Sequence, residues 1–333
     1  MDLFNAYCIK IYNYIISRSW INMNNPFCRR MRKALFDNIC HECRANFGKL
    51  NAERIFYVIR CPQEQLGFFG LFNYVVYHLK IASSINAEPV IDWQYYPNNY
   101  VTEDNLVGKE NAWEYFFEQT TDITLHEVYR SRNVIMSHGN GEGSLEEVYH
   151  PNELKKSHEL VKKYIRLNSV TYQHVEKEYQ NLGIQGQRIM GIKCRGTDFV
   201  ETKPRGHSIC PTAKETYDKI KELESVWGEF DGFFIATEDA NILSEMEGYL
   251  GDKLIYIQEK RFESVQSKWL SQVYDDKKSN GHKYDDMLAY LSSIYILASC
   301  DALVAPVIGA TLGAMRIKGI YENCFFFQLG IHA

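Results

Sequence analysis

Beyond about residue 54 the chain alternates between two hydrophobic periods. Short continuous apolar runs read as buried strands, and stretches with an apolar residue every three or four positions read as helices. The first run is 55–59. Phe68, Phe72, Val75, Val76, Leu79 and Ala82 then predict a helix with one apolar face, and 89–92 predicts the next strand. A further short strand is read at 134–136. Two polar stretches, roughly 152–166 and 169–182, predict helices that bridge to a second half.

The second half repeats the pattern more sharply. A strand is expected at 188–193. Thr212 to Glu215, directly after Pro211, has the spacing of a capping box and starts a helix. Strands are expected at 232–236, 254–257, 302–305 and 325–327. Between them lie the stripes Ile242, Leu243, Met246, Tyr249, Leu250 and Met287, Leu288, Leu291, Tyr295, Ala298, and a glycine-bearing turn at Gly309 that opens a last helix. Such alternation implies parallel sheets covered by helices on both faces. Sheets of that kind take ligands at the carboxyl ends of their strands, near a switch point.

Residues 1–50 differ from the rest. Leu3, Phe4, Tyr7, Ile11, Tyr14 and Ile15 share one helical face, and Arg29, Arg30, Arg32 and Lys33 form a basic cluster. The leader has eight Lys and Arg against three Asp and Glu, in a chain of net charge -5. Two uses of this asymmetry stand side by side. One is docking on an anionic membrane surface; the other is a helical extension packed on the main fold. The expected division is a helical basic leader over 1–50, an α/β domain over 51–182 and a second α/β domain over 183–333.

Composition narrows the class. The 333 residues are 45% hydrophobic and 24% charged, which suits a globular protein, and the acidic balance argues against a nucleic-acid footprint. The nine cysteines are odd in number and scattered, and no secretory signal or membrane span is read, so a reducing cytoplasm is expected. Cys40 and Cys43 form a lone Cys-X-X-Cys without a second pair. Aromatics reach 14%, with 23 tyrosines. Their flat, half-polar rings suit sugar faces and bases as well as cores.

The most informative segment is Lys193-Cys194-Arg195-Gly196-Thr197-Asp198. It lies where a buried strand runs out into a loop. An arginine there, followed by glycine, suits a diphosphate, because its planar fork can hold two phosphate oxygens. A donor at that place stabilises the charge that gathers on a departing diphosphate. A surface arginine paired with Asp198 is the plainer reading.

The segment resembles the His-X-Arg-Arg-X-Asp signature of the α1,6- and α1,2-fucosyltransferases and the related protein O-fucosyltransferases. On that match Arg195 falls on the first, phosphate-binding arginine, and Thr197 and Asp198 agree with the α1,6 version. Lys193 stands where the family has His, and Gly196 where it has the second Arg. The strand ending in Ala236-Thr237-Glu238-Asp239 resembles the second family motif, although Thr237 and Asp239 can equally cap the next helix. Leu291-Ser292-Ser293, then Ser299-Cys300-Asp301-Ala302-Leu303-Val304, then Gly309-Ala310-Thr311-Leu312-Gly313 resemble the third. That last turn could cradle a β-phosphate. Gly67 to Asn73 is similar to the glycine-bearing start of the α1,2 branch.

The resemblance implies a GT-B-like fold, two doubly wound Rossmann-like domains facing across a cleft. It implies an inverting sugar transfer from a nucleotide sugar, GDP-fucose first, to a glycan or glycolipid acceptor. The expected donor-binding residues are Lys193, Arg195, Gly196, Thr197, Lys203, Arg205, Thr237, Glu238, Asp239, Ser292, Ser293, Gly309, Ala310 and Thr311. Arg195, Glu201 and Asp198 are the expected catalytic residues, with His207 a further base candidate. His207, Trp93 and Tyr95 are candidates for acceptor binding, while core packing is expected of Trp113 and Phe116. No cofactor and no metal are expected, since an Asp-X-Asp triplet is absent and the Asp pairs at 275–276 and 285–286 suit helix capping. A transferase using another nucleotide sugar and a non-catalytic nucleotide-sugar-binding protein are the alternatives.

Overall fold

A computed structural model describes residues 2–18, 25–39, 41–61, 66–98, 106–138, 144–268, 270, 273 and 283–333. Cys40, Asp275 and Asp276 lie outside the described residues, as do the side chains of Arg29, Arg32 and Lys33. The chain forms two compact units. One is Met1–Gly143 with Lys163–Asn168, and the other is Ser144–Lys162 with Ser169–Ala333.

The first unit starts with helices α1 (Asp2–Ile16) and α2 (Pro26–Ile39). Its sheet contains β1 (Cys43–Ala45), β2 (Leu50–Arg60), β3 (Glu88–Asp92) and β4 (Ser131–Met136), in the order β1-β4-β2-β3. β2 runs parallel to both β3 and β4, while β1 is antiparallel to β4. Between β2 and β3 lies α3 (Phe68–Ser84), whose predicted face is buried in full. Phe69, Leu71, Tyr74 and His78 are buried as well, so this helix is covered on nearly all sides. A short helix, α4 (Leu125–Val128), precedes β4.

Neighbours of β2 lie on opposite sides of it, so the strand order reverses there. Arg60, at the carboxyl end of β2, fills that point from within. Its guanidinium donates to the carbonyls of Ile39, His41 and Ser137 and lies over the Tyr96 ring. At the end of β3, Asp92 accepts from the amides of Gln94 and Tyr95 and from the Tyr129 hydroxyl. Burial pushes the Asp92 carboxyl up to about 6.

The second unit carries α5 (Pro151–Tyr164), α6 (Ser169–Asn181), β5 (Ile189–Lys193), α7 (Thr197–Thr202), α8 (Ala213–Trp227), β6 (Gly232–Ala236), α9 (Ala240–Leu250), β7 (Leu254–Ile255), α10 (Lys283–Ser299), β8 (Ala302–Pro306), α11 (Gly309–Lys318) and β9 (Asn323–Phe327). All five strands are parallel, in the order β7-β6-β5-β8-β9. Met190, Ile192, Ile220, Phe233, Ile235, Met246 and Val304 belong to one buried core cluster. The capping box at Thr212 and Glu215 forms as its spacing predicts. β7 pairs over two residues only, against four expected. Beyond it the chain continues irregularly, and Phe262 bridges to the segment just after β6, donating its amide to the Glu238 carbonyl at 2.9 Å.

The division differs from the expected one at two places. The leader range is part of the first unit: Ala6, Ile9, Tyr12 and Ile16 face inward, and β1 pairs with β4. Most of 144–182 belongs to the second unit. A buried ion pair explains this, because Arg316 Nη2 lies 2.7 Å from Glu147 Oε2 and the Arg316 carbonyl meets His158 Nδ1 at 3.0 Å. Residues 163–168 stay with the first unit through the Phe117/Leu167 bridge and a Glu118 amide bond to the Arg166 carbonyl at 2.8 Å. Among the described residues no helix is long and apolar enough to cross a membrane.

Candidate active site

In the second unit β5 lies between β6 and β8. The chain adds β6 and β7 on one side of β5, then returns to place β8 and β9 on the other. The switch point is therefore at the carboxyl ends of β5 and β8, where ligands of open parallel sheets bind. Those ends carry Lys193 to Asp198 and the turn into α11.

Two consecutive residues after β6 clasp this loop. Glu238 Oε2 accepts from Lys193 Nζ at 3.0 Å, and its Oε1 accepts from the Gly196 amide at 3.2 Å. The same Oε1 lies 3.3 Å from Arg195 Nε. Asp239 works in two directions. Its Oδ2 accepts from the Thr197 amide at 2.7 Å, and its Oδ1 caps α9 through the amides of Asn241 and Ile242. Burial alone would raise the Glu238 carboxyl; the charges of Arg195 and Lys193 more than offset it and hold it below the usual range.

Arg195 itself is largely buried. Nη2 donates to Asp198 Oδ2 at 2.8 Å, and the guanidinium lies 4.9 Å above the Phe199 ring. Asp198 also accepts from the Leu270 amide, while its Oδ1 has no partner among the described residues. Burial raises the Asp198 carboxyl above its ordinary value despite the neighbouring Arg195. The loop is tight enough to hold Thr197 at φ +38, a left-handed backbone angle that non-glycine residues rarely adopt.

Gly196 is required by the clasp. A Cβ there would stand 2.1 Å from Asp239 Oδ2 and 2.8 Å from Ile242 Cδ1. No side chain fits without displacing Asp239, which accounts for a glycine where the resembled signature has arginine.

Sequence reasoning missed the next two members, Glu259 and Arg261. Both follow β7 on the irregular segment beyond it. Glu259 accepts from the Ser293 hydroxyl at 3.4 Å and lies 3.5 Å from Arg261 Nη2. Burial pushes its carboxyl up to about 7, against the pull of Arg261 and Lys193. Arg261 donates to the Ile257 carbonyl at 3.0 Å, and its Nε is buried without a partner among the described residues. The run Glu259-Lys260-Arg261 just past a short strand was the available signal.

No family model matches the chain, and no curated protein matches it by sequence. Solved structures do. The NodZ α-1,6-fucosyltransferase soaked with GDP-fucose superposes at a TM-score of 0.52 and 15% identity, over 83% of this chain and 96% of that one. The fold is fucosyltransferase-like. Selenomethionine NodZ from Bradyrhizobium gives 0.50 at 14% identity, covering 83% and 95% of the two chains. POFUT1 in complex with GDP gives 0.45 at 12%, covering 81% and 98%.

Several expected site residues hold other positions. Lys193 is 1% exposed, and its ammonium donates to the Cys194 and Ala236 carbonyls and to Glu238, three partners for three protons. It is an internal strut rather than a ligand contact. Glu201 accepts from the amides of Val265 and Ser267, whose hydrogen bonds lower its carboxyl, so it secures the 264–267 turn. Ser292 back-bonds to the Leu288 carbonyl and meets His174 Nδ1 at 3.0 Å. Thr237 Oγ1 accepts from the Asp239 amide, and Thr311 Oγ1 donates to the Pro306 carbonyl. Gly309 opens α11 and is half-buried, whereas Ala310 is buried.

Lys203, Arg205 and His207 are exposed on the loop after α7. That loop is tied to the chain's end by hydrogen bonds from the Gly206 amide to His332 and from the His332 amide to His207. The His207 ring meets Phe199 edge-on at 5.4 Å. In the first unit Trp93 is buried edge-on against Trp113, with no face left for a sugar, so its acceptor reading is corrected to core packing. Trp113 and Phe116 are fully buried, as expected. Tyr95 is half-buried against Tyr129.

Gly196→Ala tests the clasp. The added methyl group displaces Asp239 from the Thr197 amide and lowers stability by about 1–3 kcal/mol, the usual range for overpacking. Thermal unfolding measures this; an unchanged Tm would mean that the loop relaxes at no cost.

Proposed function

We infer that this chain is an inverting glycosyltransferase of GT-B type that transfers a sugar from a nucleotide diphosphate, with GDP-fucose as the leading donor. The acceptor in this reading is a glycan or glycolipid of surface polysaccharide assembly. The observation that carries the reading is Arg195, held by Asp198 and Glu238 at the carboxyl end of β5, beside the switch point of a fucosyltransferase-like fold. NodZ, which shares the fold, has been studied as crystals soaked with GDP-fucose.

In the proposed reaction the acceptor hydroxyl attacks the anomeric carbon from the face opposite the diphosphate. The bond from that carbon to the phosphate oxygen breaks, and its electron pair leaves on the diphosphate. Arg195 sits against the leaving oxygens, where a charge-assisted donor acts more strongly on the transition state than on the ground state. The first turn of α11, beginning at Gly309, offers amides to the same group. Arg195 answers the leaving charge in this scheme, so no metal is invoked.

The acceptor's proton goes to Asp198. Of the three groups considered, Glu201 is engaged on both oxygens by backbone amides and His207 lies on the exposed loop. Asp198 has one oxygen without a partner among the described residues and a carboxyl raised by burial, the better match to a base working near neutrality. A second donor remains in view for one reason. Lys193 turns inward at the position where the resembled signature has a donor-contacting histidine, so recognition of the base need not follow that family.

Three measurements test the reading. Arg195→Ala lowers turnover by roughly two to three orders of magnitude while the fold is retained by circular dichroism; wild-type turnover in that variant removes its phosphate role. With wild type, kcat/KM rises with pH through the raised Asp198 carboxyl, because only the deprotonated form accepts a proton. Asp198→Asn abolishes that acid limb, and a limb that persists assigns the base elsewhere. A thermal-shift panel of GDP-, UDP-, dTDP- and CMP-sugars identifies the donor: stabilisation by GDP-fucose above the others supports the leading form, preference for another sugar nucleotide supports the second reading, and no shift with any of them overturns the enzyme.

A further inference from the structure

Helix α1 has two apolar faces, and only one of them is used by the fold. Ala6, Ile9, Tyr12 and Ile16 point into the first unit, where Tyr12 stacks on Tyr96 at 5.2 Å. At 3.6 residues per turn, Leu3, Phe4, Tyr7, Ile11 and Tyr14 occupy an arc of about 100° on the opposite side. These five side chains are between 38% and 74% exposed. Phe27, in the first turn of α2, is 72% exposed. The sequence pattern placed the leader's apolar stripe on a single face; the structure buries the other one and leaves this stripe uncovered among the described residues.

A groove of about 710 Å³ runs beside that face. Leu3 and Tyr7 form part of its wall, so the groove and the apolar arc are continuous. Lys10, Lys49 and Arg132 line it as well, and its lining contains no carboxylate. Lys10 is steadied by a 2.8 Å bond to the Phe47 carbonyl. Arg18 lies over the exposed Tyr14 ring at 4.2 Å, and the exposed Arg44 is tied to α1 where its carbonyl accepts from Asn5 Nδ2 at 3.0 Å. Aromatic and aliphatic side chains on one arc, with cations at its border, match the polarity profile of a bilayer surface: acyl chains below, anionic headgroups above.

We propose that α1 and its bordering groove dock this protein peripherally on an anionic lipid surface. Leu3, Phe4, Tyr7, Ile11 and Tyr14 enter the boundary of the acyl layer. Lys10, Lys49 and Arg132 take the phosphates of the headgroups. The helix lies in the plane of the membrane, because its opposite face is already committed to the protein core.

Vesicle co-sedimentation of the full chain tests this. Wild type binds phosphatidylcholine vesicles containing about a third phosphatidylglycerol, and binds them at least about tenfold better than phosphatidylcholine alone. Phe4→Asp with Tyr7→Asp lowers binding to the anionic vesicles by about tenfold or more, and both sites are exposed, so the thermal transition stays in place. Lys49→Glu with Arg132→Glu removes the preference for anionic over neutral vesicles. The proposal is overturned if wild type fails to sediment with the anionic vesicles, or if both variant pairs bind as wild type does. It is also overturned if light scattering finds a dimer that Phe4→Asp with Tyr7→Asp converts to monomer, since a second copy then covers the face.

Discussion

The arrangement of the second unit depends on two adjacent carboxylates, Glu238 and Asp239, closing on the end of β5. Glu238 is buried between Lys193 and Arg195, and Asp239 holds the Thr197 amide while capping α9. A buried ion of this kind is expensive to desolvate and is tolerated only when its partners are all in place. The clasp therefore fixes several features together. It sets where Arg195 points, it holds Thr197 at a strained backbone angle, and it leaves room only for hydrogen at position 196. Strain at such a place persists because the surroundings over-determine it.

Most of this fold was legible because burial has a period. Each strand expected in the second half is present within two residues, and the Thr212 capping box forms as its spacing predicts. Local signals end at the same scale. β1 is three residues long and paired antiparallel, too short for a hydrophobic period to register. The assignment of 144–162 to the second unit rests on the Glu147–Arg316 pair, 169 residues apart in sequence, and no window along the chain contains both. The same limit applies at the site. Arg195, Asp198, Glu238 and Asp239 could be singled out because each follows the end of a readable strand, and the structure brings them together. Glu259 and Arg261 escaped because they reach the cluster from an irregular segment. Lys193 was misread because its sequence position says only that it ends a strand, and three internal acceptors decide which way it turns.

The two sheets put an arginine at the same topological place and use it differently. Arg60 closes the reversal point of the first sheet, and its guanidinium is met by main-chain carbonyls of Ile39, His41 and Ser137. Carbonyls are fixed and neutral, so Arg60 is 1% exposed and serves as a structural plug. Arg195 is met by carboxylates instead, and its side chain keeps 16% of its surface exposed. The same topological place thus carries a cation with fixed neutral partners in one sheet and with charged ones in the other.

Charge around Arg195 is balanced closely enough to matter. Lys193, Arg195 and Arg261 face Asp198, Glu238, Asp239 and Glu259, so with every group ionised the carboxylates outnumber the cations by one. Burial works against that state. It raises Asp198 and pushes Glu259 up to about 7, so both acids take up a proton more readily than ordinary carboxylates. The cluster thus moves toward positive charge by taking up protons on its own buried acids, without additional lysines or arginines. An anion arriving at this cluster favours the protonated form of Glu259 further. On the proposed reading, this is how a site with one more acid than bases still accepts a diphosphate: Glu238 stays charged to hold Arg195, and Glu259 yields.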